Sequence, residues 1–220
     1  MLSLVCAAVL VTPQDLRILF LGNSHTASND LTGMVRSFLA TDGSGRKVTI
    51  RVETSALLND FAERPDVLQQ IKTGKWTTIV LQGAAMSSSH KYVYSQAGGI
   101  AVAKLAVASG ASTRLFAEWP RQGWDETGYI LGIYGQIAAA SGATIIPVPR
   151  CWDVALSLQP GLSLWASDGN HSSPIGAYLA ACGLYYGIAG PRGRPVFVPS
   201  YLTPKSAETL RSYALKAIFR

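Results

Sequence analysis

Two segments far apart in this 220-residue chain carry the groups that acyl transfer through a serine requires. Gly22-Asn23-Ser24-His25-Thr26 follows the apolar run Ile18-Leu19-Phe20-Leu21 and puts a serine at the tip of a tight turn. Asp168-Gly169-Asn170-His171 puts a carboxylate three residues before a histidine, just ahead of a helix start. A serine is a nucleophile only when a base takes its proton, and near neutral pH that base is usually histidine. The chain has three histidines. His25 adjoins Ser24, and side chains of adjacent residues diverge. His90 lies in the polar loop Ser87 to Tyr92 with no obvious carboxylate nearby. His171 has Asp168 on a glycine-containing loop, so the carboxylate can accept from the ring's Nδ1–H and leave Nε2 free to act on Ser24. The spacing therefore points to Ser24 as nucleophile, His171 as base and Asp168 as orienting acid.

These groups need elements to hold them. Strand and helix signals alternate along the chain. Strands are expected at Leu16 to Leu21, Val48 to Val52, Thr77 to Leu81, Thr113 to Phe116 and Thr144 to Val148, the last ending in prolines. Asn29 or Asp30 is placed to cap a helix through Leu39, with Leu31, Met34, Val35, Phe38 and Leu39 on one face. Further helices are expected at Pro65 to Ile71, Ser95 to Ser109, Glu126 to Ala140, from Ser172-Ser173-Pro174 onward, and at Ala207 to Ile218. Such alternation gives a parallel sheet covered on both faces, with ligands gathering at the carboxyl ends of the strands, where Ser24 and Gln82 both fall. The turn at Ser24 is not the G-x-S-x-G elbow, because Thr26 replaces the second glycine. The order Ser…Asp…His matches the α/β-hydrolases, but the close Asp168–His171 pairing does not.

Leu19-Phe20-Leu21-Gly22-Asn23-Ser24 resembles the first block of the SGNH hydrolase (GDSL-like esterase) superfamily, with Asn23 where many members carry aspartate. Asp168-Gly169-Asn170-His171 resembles its last block, D-x-x-H. The resemblance implies a three-layer α/β/α flavodoxin-like fold with a five-stranded parallel sheet and a Ser24–His171–Asp168 triad. The middle blocks depart from the pattern. The second strand runs into Thr54-Ser55-Ala56 without the family's glycine, and the third ends Val80-Leu81-Gln82-Gly83 without G-x-N-D. That ending resembles a subgroup with a V-L-Q strand, and carbohydrate acetylesterases with a W-x-Q-G-E block, in which glutamine can replace the asparagine. The resemblance thus implies an oxyanion hole from the Ser24 N–H, the Ser55 N–H and the Gln82 side chain. The alternative for Gln82 is a polar strand-end residue satisfying nearby backbone.

The segment Glu118-Trp119-Pro120-Arg121-Gln122-Gly123-Trp124 follows the fourth strand. Trp119 and Trp124 could stack on sugar rings at the substrate rim, and Arg121 could engage an acid group; the alternative is that both tryptophans cap the core. Asp125 and Glu126 read as first-turn charges of a helix.

Length suits one domain. Residues 13–220 are expected to form it, with residues 1–12 an export-signal remnant or apolar lead-in. Met1 to Val11 is too short to span a bilayer and lacks a basic leading region. Export to a secreted or periplasmic location is the expectation, and a cytoplasmic one if Met1 to Val11 is no signal. A net charge of +6 with scattered Lys and Arg, and no basic stripe interleaved with aromatics, disfavours nucleic acid. Cys6, Cys151 and Cys182 lack metal-ligand spacing. Cys151 and Cys182 could pair in an oxidising compartment or serve as small buried hydrophobes. No metal or organic cofactor is expected.

The expected function is a serine esterase acting on a small-molecule or glycan ester, in particular a carbohydrate O-acetylesterase. The alternatives are a non-catalytic carbohydrate-binding or surface module on the same fold, and an acyltransferase.

Overall fold

The computed structural model describes residues 15–219. Met1 to Val11, read above as a possible signal, and Cys6 lie outside the described residues. Five parallel strands, β1 (Leu16–Gly22), β2 (Val48–Thr54), β3 (Thr78–Leu81), β4 (Ser112–Ala117) and β5 (Thr144–Pro147), form one sheet in the order β2-β1-β3-β4-β5. This is the flavodoxin-like order, in which the chain reverses its direction of winding between β1 and β3.

The uninterrupted apolar run of β1 follows from its central place in the sheet. Ile18 and Phe20 enter one core with Val80, Phe116 and Ile146. Leu19 and Leu21 enter the other with Ile79, Leu81 and Leu115. A strand buried on both faces has no polar side to show. The first core is closed by α2 (Leu31–Thr41), α6 (Pro149–Leu158), α7 (Pro174–Ala189) and α8 (Pro204–Ile218), the second by α3 (Pro65–Thr73), α4 (Ala97–Ala108) and α5 (Thr127–Ser141). The three-layer α/β/α architecture is as the sequence led us to expect.

On α2 the apolar face is the expected one, with Leu31, Met34, Val35, Phe38 and Leu39 all buried. Its N-cap, Asp30, makes no side-chain cap bond and is left-handed, at φ 49°. By contrast, Ser173 caps α7 by accepting from Gly176 N, and Pro174 opens the first turn. Two helices were not anticipated. One is the single turn α1 (Ser24–Ala27), and the other is α6, which starts on Pro149 where the prolines had suggested only a strand end. Cys151 and Cys182 are free and fully buried, and burial pushes both thiols up, so they act as small apolar residues. No helix among the described residues is long and apolar enough to cross a membrane.

Candidate active site

Ser24 stands at the carboxyl end of β1, on the first residue of α1, and its side chain is exposed. The chain turns there because Asn23 is extended (φ −121°) and caps α1, its Oδ1 accepting from His25 N at 3.0 Å. Gly22 is required by close approach. A Cβ at Gly22 would lie 2.2 Å from Thr26 Oγ1 and 2.7 Å from Gln82 Oε1. The absent second glycine is thus accounted for, since Thr26 folds back onto Gly22 rather than needing space itself.

His171 arrives from the opposite end of the sequence. Its Nδ1 lies 2.6 Å from Asp168 Oδ2, and its Nε2 lies 2.8 Å from Ser24 Oγ. An ionised carboxylate only accepts, so Nδ1 carries the proton and, in the neutral ring, Nε2 accepts from the Ser24 hydroxyl. Asp168 Oδ1 also accepts from the Asn170 and His171 amides, at 2.9 Å each. The hydrogen bond from His171, then those two amides, hold the Asp168 carboxyl down to about 2. It remains an anion wherever an imidazole is neutral.

The loop carrying this pair is braced on several sides. Gly169, at φ +67°, makes the turn and accepts from Gln122 N at 2.8 Å. Trp119 Nε1 donates to Asn170 O at 2.9 Å, Trp165 Nε1 to Pro120 O at 2.8 Å, and Asn29 Nδ2 to Ser172 O at 2.8 Å. Trp119 is therefore no open rim platform. It is 3% exposed, stacked on Trp152 with ring centroids 4.9 Å apart, and it supports the histidine loop from below.

Neither of the two expected oxyanion donors outside Ser24 is available. Ser55 N–H continues the β1–β2 pairing by donating to Gly22 O at 3.0 Å. Gln82 is 1% exposed, and its Oε1 accepts from Asn23 N and from the Thr26 hydroxyl, each at 2.8 Å. The amide orientation is fixed, because Asn23 N can only donate. Gln82 Nε2 consequently points inward, buried and without a hydrogen-bond partner, where no substrate can reach it. The strand-end alternative is the one that fits. Ser24 N–H and Ala56 N–H, by contrast, have no acceptor among the described residues, and Asn23 Nδ2 reaches across to Ala56 O at 3.3 Å.

His25 packs at 4.9 Å from Trp119 and stacks at 5.1 Å on His171. Burial, then the neighbouring His171, push its pKa down to about 4. It is a neutral wall and not a competing base. His90 does have a carboxylate, contrary to the local reading. Glu126 Oε1 lies 2.8 Å from its Nε2, and the ring stacks on Tyr129 at 4.1 Å. Glu126 also binds Arg121 through Nε and Nη2, at 3.0 and 2.6 Å, so Arg121 is not free to hold an acid group. Trp124 is half-exposed, but the Arg121 guanidinium covers its ring at 4.3 Å. Asp125 is exposed, whereas Glu126 is buried and serves this pair rather than the first turn of α5.

A cavity of about 150 Å³ is lined by none of the triad side chains but by their sequence neighbours His25 and Asn170, together with Met86, Ser87, Glu118, Trp119, Arg121, Glu126, Tyr129 and Ile130. No group of three or more His, Cys, Asp or Glu side chains among the described residues is placed to hold a metal ion.

No family model matches the chain, and no curated protein matches it. Solved structures do. A protein assigned to the SGNH hydrolases, from Slackia heliotrinireducens, is 26% identical over 78% of this chain and 97% of its own, with a TM-score of 0.56. A DUF4886 family protein from Bacteroides uniformis is 16% identical over 94% of this chain and 95% of its own, with a TM-score of 0.65. An acetyl xylan esterase is 16% identical over 79% of this chain and the whole (100%) of its own, with a TM-score of 0.62. The fold, the strand order and these likenesses support the SGNH hydrolase superfamily.

Proposed function

We propose that the protein is a serine esterase in which Ser24, His171 and Asp168 form the catalytic triad. The observation that carries this is the unbroken relay from Asp168 through His171 to an exposed Ser24, with contacts of 2.6 and 2.8 Å. His171 Nε2 takes the hydroxyl proton as Ser24 Oγ attacks the ester carbonyl. Asp168 holds the ring and stabilises the imidazolium. The Ser24 and Ala56 N–H groups take the developing negative charge, each such donor being worth about 3 kcal/mol in comparable sites. His171 then protonates the leaving alcohol and activates the water that releases the acid. Ser24 lies open to solvent, which favours water over a second alcohol as acceptor and so hydrolysis over acyl transfer. A non-catalytic module has no need to keep the relay in register.

The substrate we infer is a carbohydrate ester carrying a small acyl group such as acetate. The cavity next to the triad sets the Tyr129 ring, the Ser87 hydroxyl and the Arg121–Glu126 pair beside the apolar Met86 and Ile130, and its volume of about 150 Å³ leaves room for a small acyl group. The same fold serves an acetyl xylan esterase. With p-nitrophenyl acetate, Ser24→Ala and His171→Ala are each expected to lower kcat at least a thousandfold, ~10³ or more. Equal slow rates in all three proteins would overturn the esterase reading.

A further inference from the structure

We propose that Glu118 is a positioning residue for Ser24, acting through Gln82 on the turn that carries the nucleophile; this rests on the reading of Ser24 as nucleophile. Glu118 stands just after β4 and is 6% exposed.

The direction of each hydrogen bond makes the case. Asn23 N–H and the Thr26 hydroxyl both donate to Gln82 Oε1. That fixes the Gln82 amide and turns its Nε2 inward, where it makes no hydrogen bond of ordinary geometry but lies near enough to Glu118 to favour the carboxylate. From the other side the Tyr134 hydroxyl donates to Glu118 Oε2. Tyr134 Oη is meanwhile occupied as an acceptor by the Gly83 and Ala84 amides, at 3.0 and 3.3 Å. The Tyr134 hydroxyl and the Gln82 amide thus both turn donors toward Glu118. Two chains of aligned dipoles, one from the Ser24 turn and one from the turn after β3, converge on a single carboxylate. An anion fits that cage. A neutral carboxyl brings an O–H for which neither Gln82 Nε2 nor Tyr134 offers a lone pair.

The consequence reaches Ser24 because Asn23 and Thr26 flank it on both sides. When Gln82 Nε2 faces an anion, the attraction keeps Oε1 against Asn23 N, and the Ser24 amide and hydroxyl keep their places. When it does not, the amide is free to swing. Burial opposes the anion and outweighs the donors, raising Glu118 to about 7. The switch between the two forms thus falls within the working range of a histidine-based esterase. The titratable groups around the cavity that Glu118 also lines do not duplicate it. His25 is held neutral, Arg121 and Glu126 are spent on each other, and Tyr134, the phenol in contact, is pushed well up by burial.

The test follows the Asn23 backbone amide by ¹⁵N NMR from about pH 5 to 9, alongside kcat/KM for p-nitrophenyl acetate. In the native protein the Asn23 resonance should show a step near the raised Glu118 value, and the acid limb of kcat/KM should be two-proton. Glu118→Gln should remove that step and leave a one-proton acid limb. It should also lower kcat about tenfold with KM within about twofold, with kcat normalised to the active sites that a fluorophosphonate titrates so that a smaller folded fraction does not mimic the effect. Should Glu118→Gln fold poorly, Tyr134→Phe, which removes one donor to the anion, should move the Asn23 step to higher pH. An Asn23 resonance that shows no such step in the native protein, or the same step in both variants, overturns the proposal. An Asn23 step without any esterase activity would retain the positioning network and reject the esterase reading.

Discussion

Ser24 and His171 are 147 residues apart in sequence, yet each is recognisable from its immediate neighbours. A turn serine after a buried strand needs only Gly22 and Asn23 beside it, and a base with an acid three residues back needs only a short loop. Those chemical relations are local, so they survive in the one-dimensional text. Gln82 is different. Its role depends on which way the amide faces, and that is decided by Asn23 and Thr26, 59 and 56 residues away. The same distance hid the His90–Glu126 pair and the burial of Glu118. At this scale the sharpest expectation concerns Asp168. It is half-exposed, and its value to the site is orientation of the ring. Asp168→Asn offers an amide that can present N–H₂ to Nδ1 and favour the wrong tautomer. A loss in kcat on the order of 10² to 10⁴ is expected with KM little changed, by steady-state kinetics. A variant within twofold of the native kcat would remove Asp168 from the triad.

The elements that hold these residues were legible wherever apolar periodicity was strong. β1 and α2 fall close to where the pattern put them, because burial on two faces or on one stripe leaves a clear mark. α6 was missed because its first turn is Pro149-Arg150, and proline there reads as an ending as readily as a beginning. α1 is a single turn with no period to detect. The element that matters most to the site is α7, whose N-terminus receives the histidine loop. A Cβ on Gly176 would sit 2.0 Å from Leu164 O, the same carbonyl that accepts from Ser173 N at 2.9 Å. Gly176→Ala must therefore push residues 164–173 away from the helix. A loss of ~1–3 kcal/mol in thermal or denaturant unfolding is expected, with an activity loss exceeding it at temperatures where the variant is folded. An unchanged midpoint would show that the contact relaxes freely.

At the scale of the whole molecule, the sheet order brings the carboxyl ends of β1, β3 and β4 to one edge, where Ser24, Gln82 and Glu118 follow their strands in turn. The loop after β4 then meets the loop before α7 through Trp119, Gln122 and Trp165, closing the frame around His171. Two cores, one on each side of the sheet, fix these parts relative to one another. This frame makes one serine reactive among many. That selectivity is tested most directly by treating the folded protein with a fluorophosphonate and locating the adduct by peptide mass spectrometry. A single adduct on Ser24, formed more slowly as pH falls and lost in His171→Ala, is the result expected. Labelling at another serine, such as Ser87, or equal labelling in the native protein and His171→Ala, would contradict it.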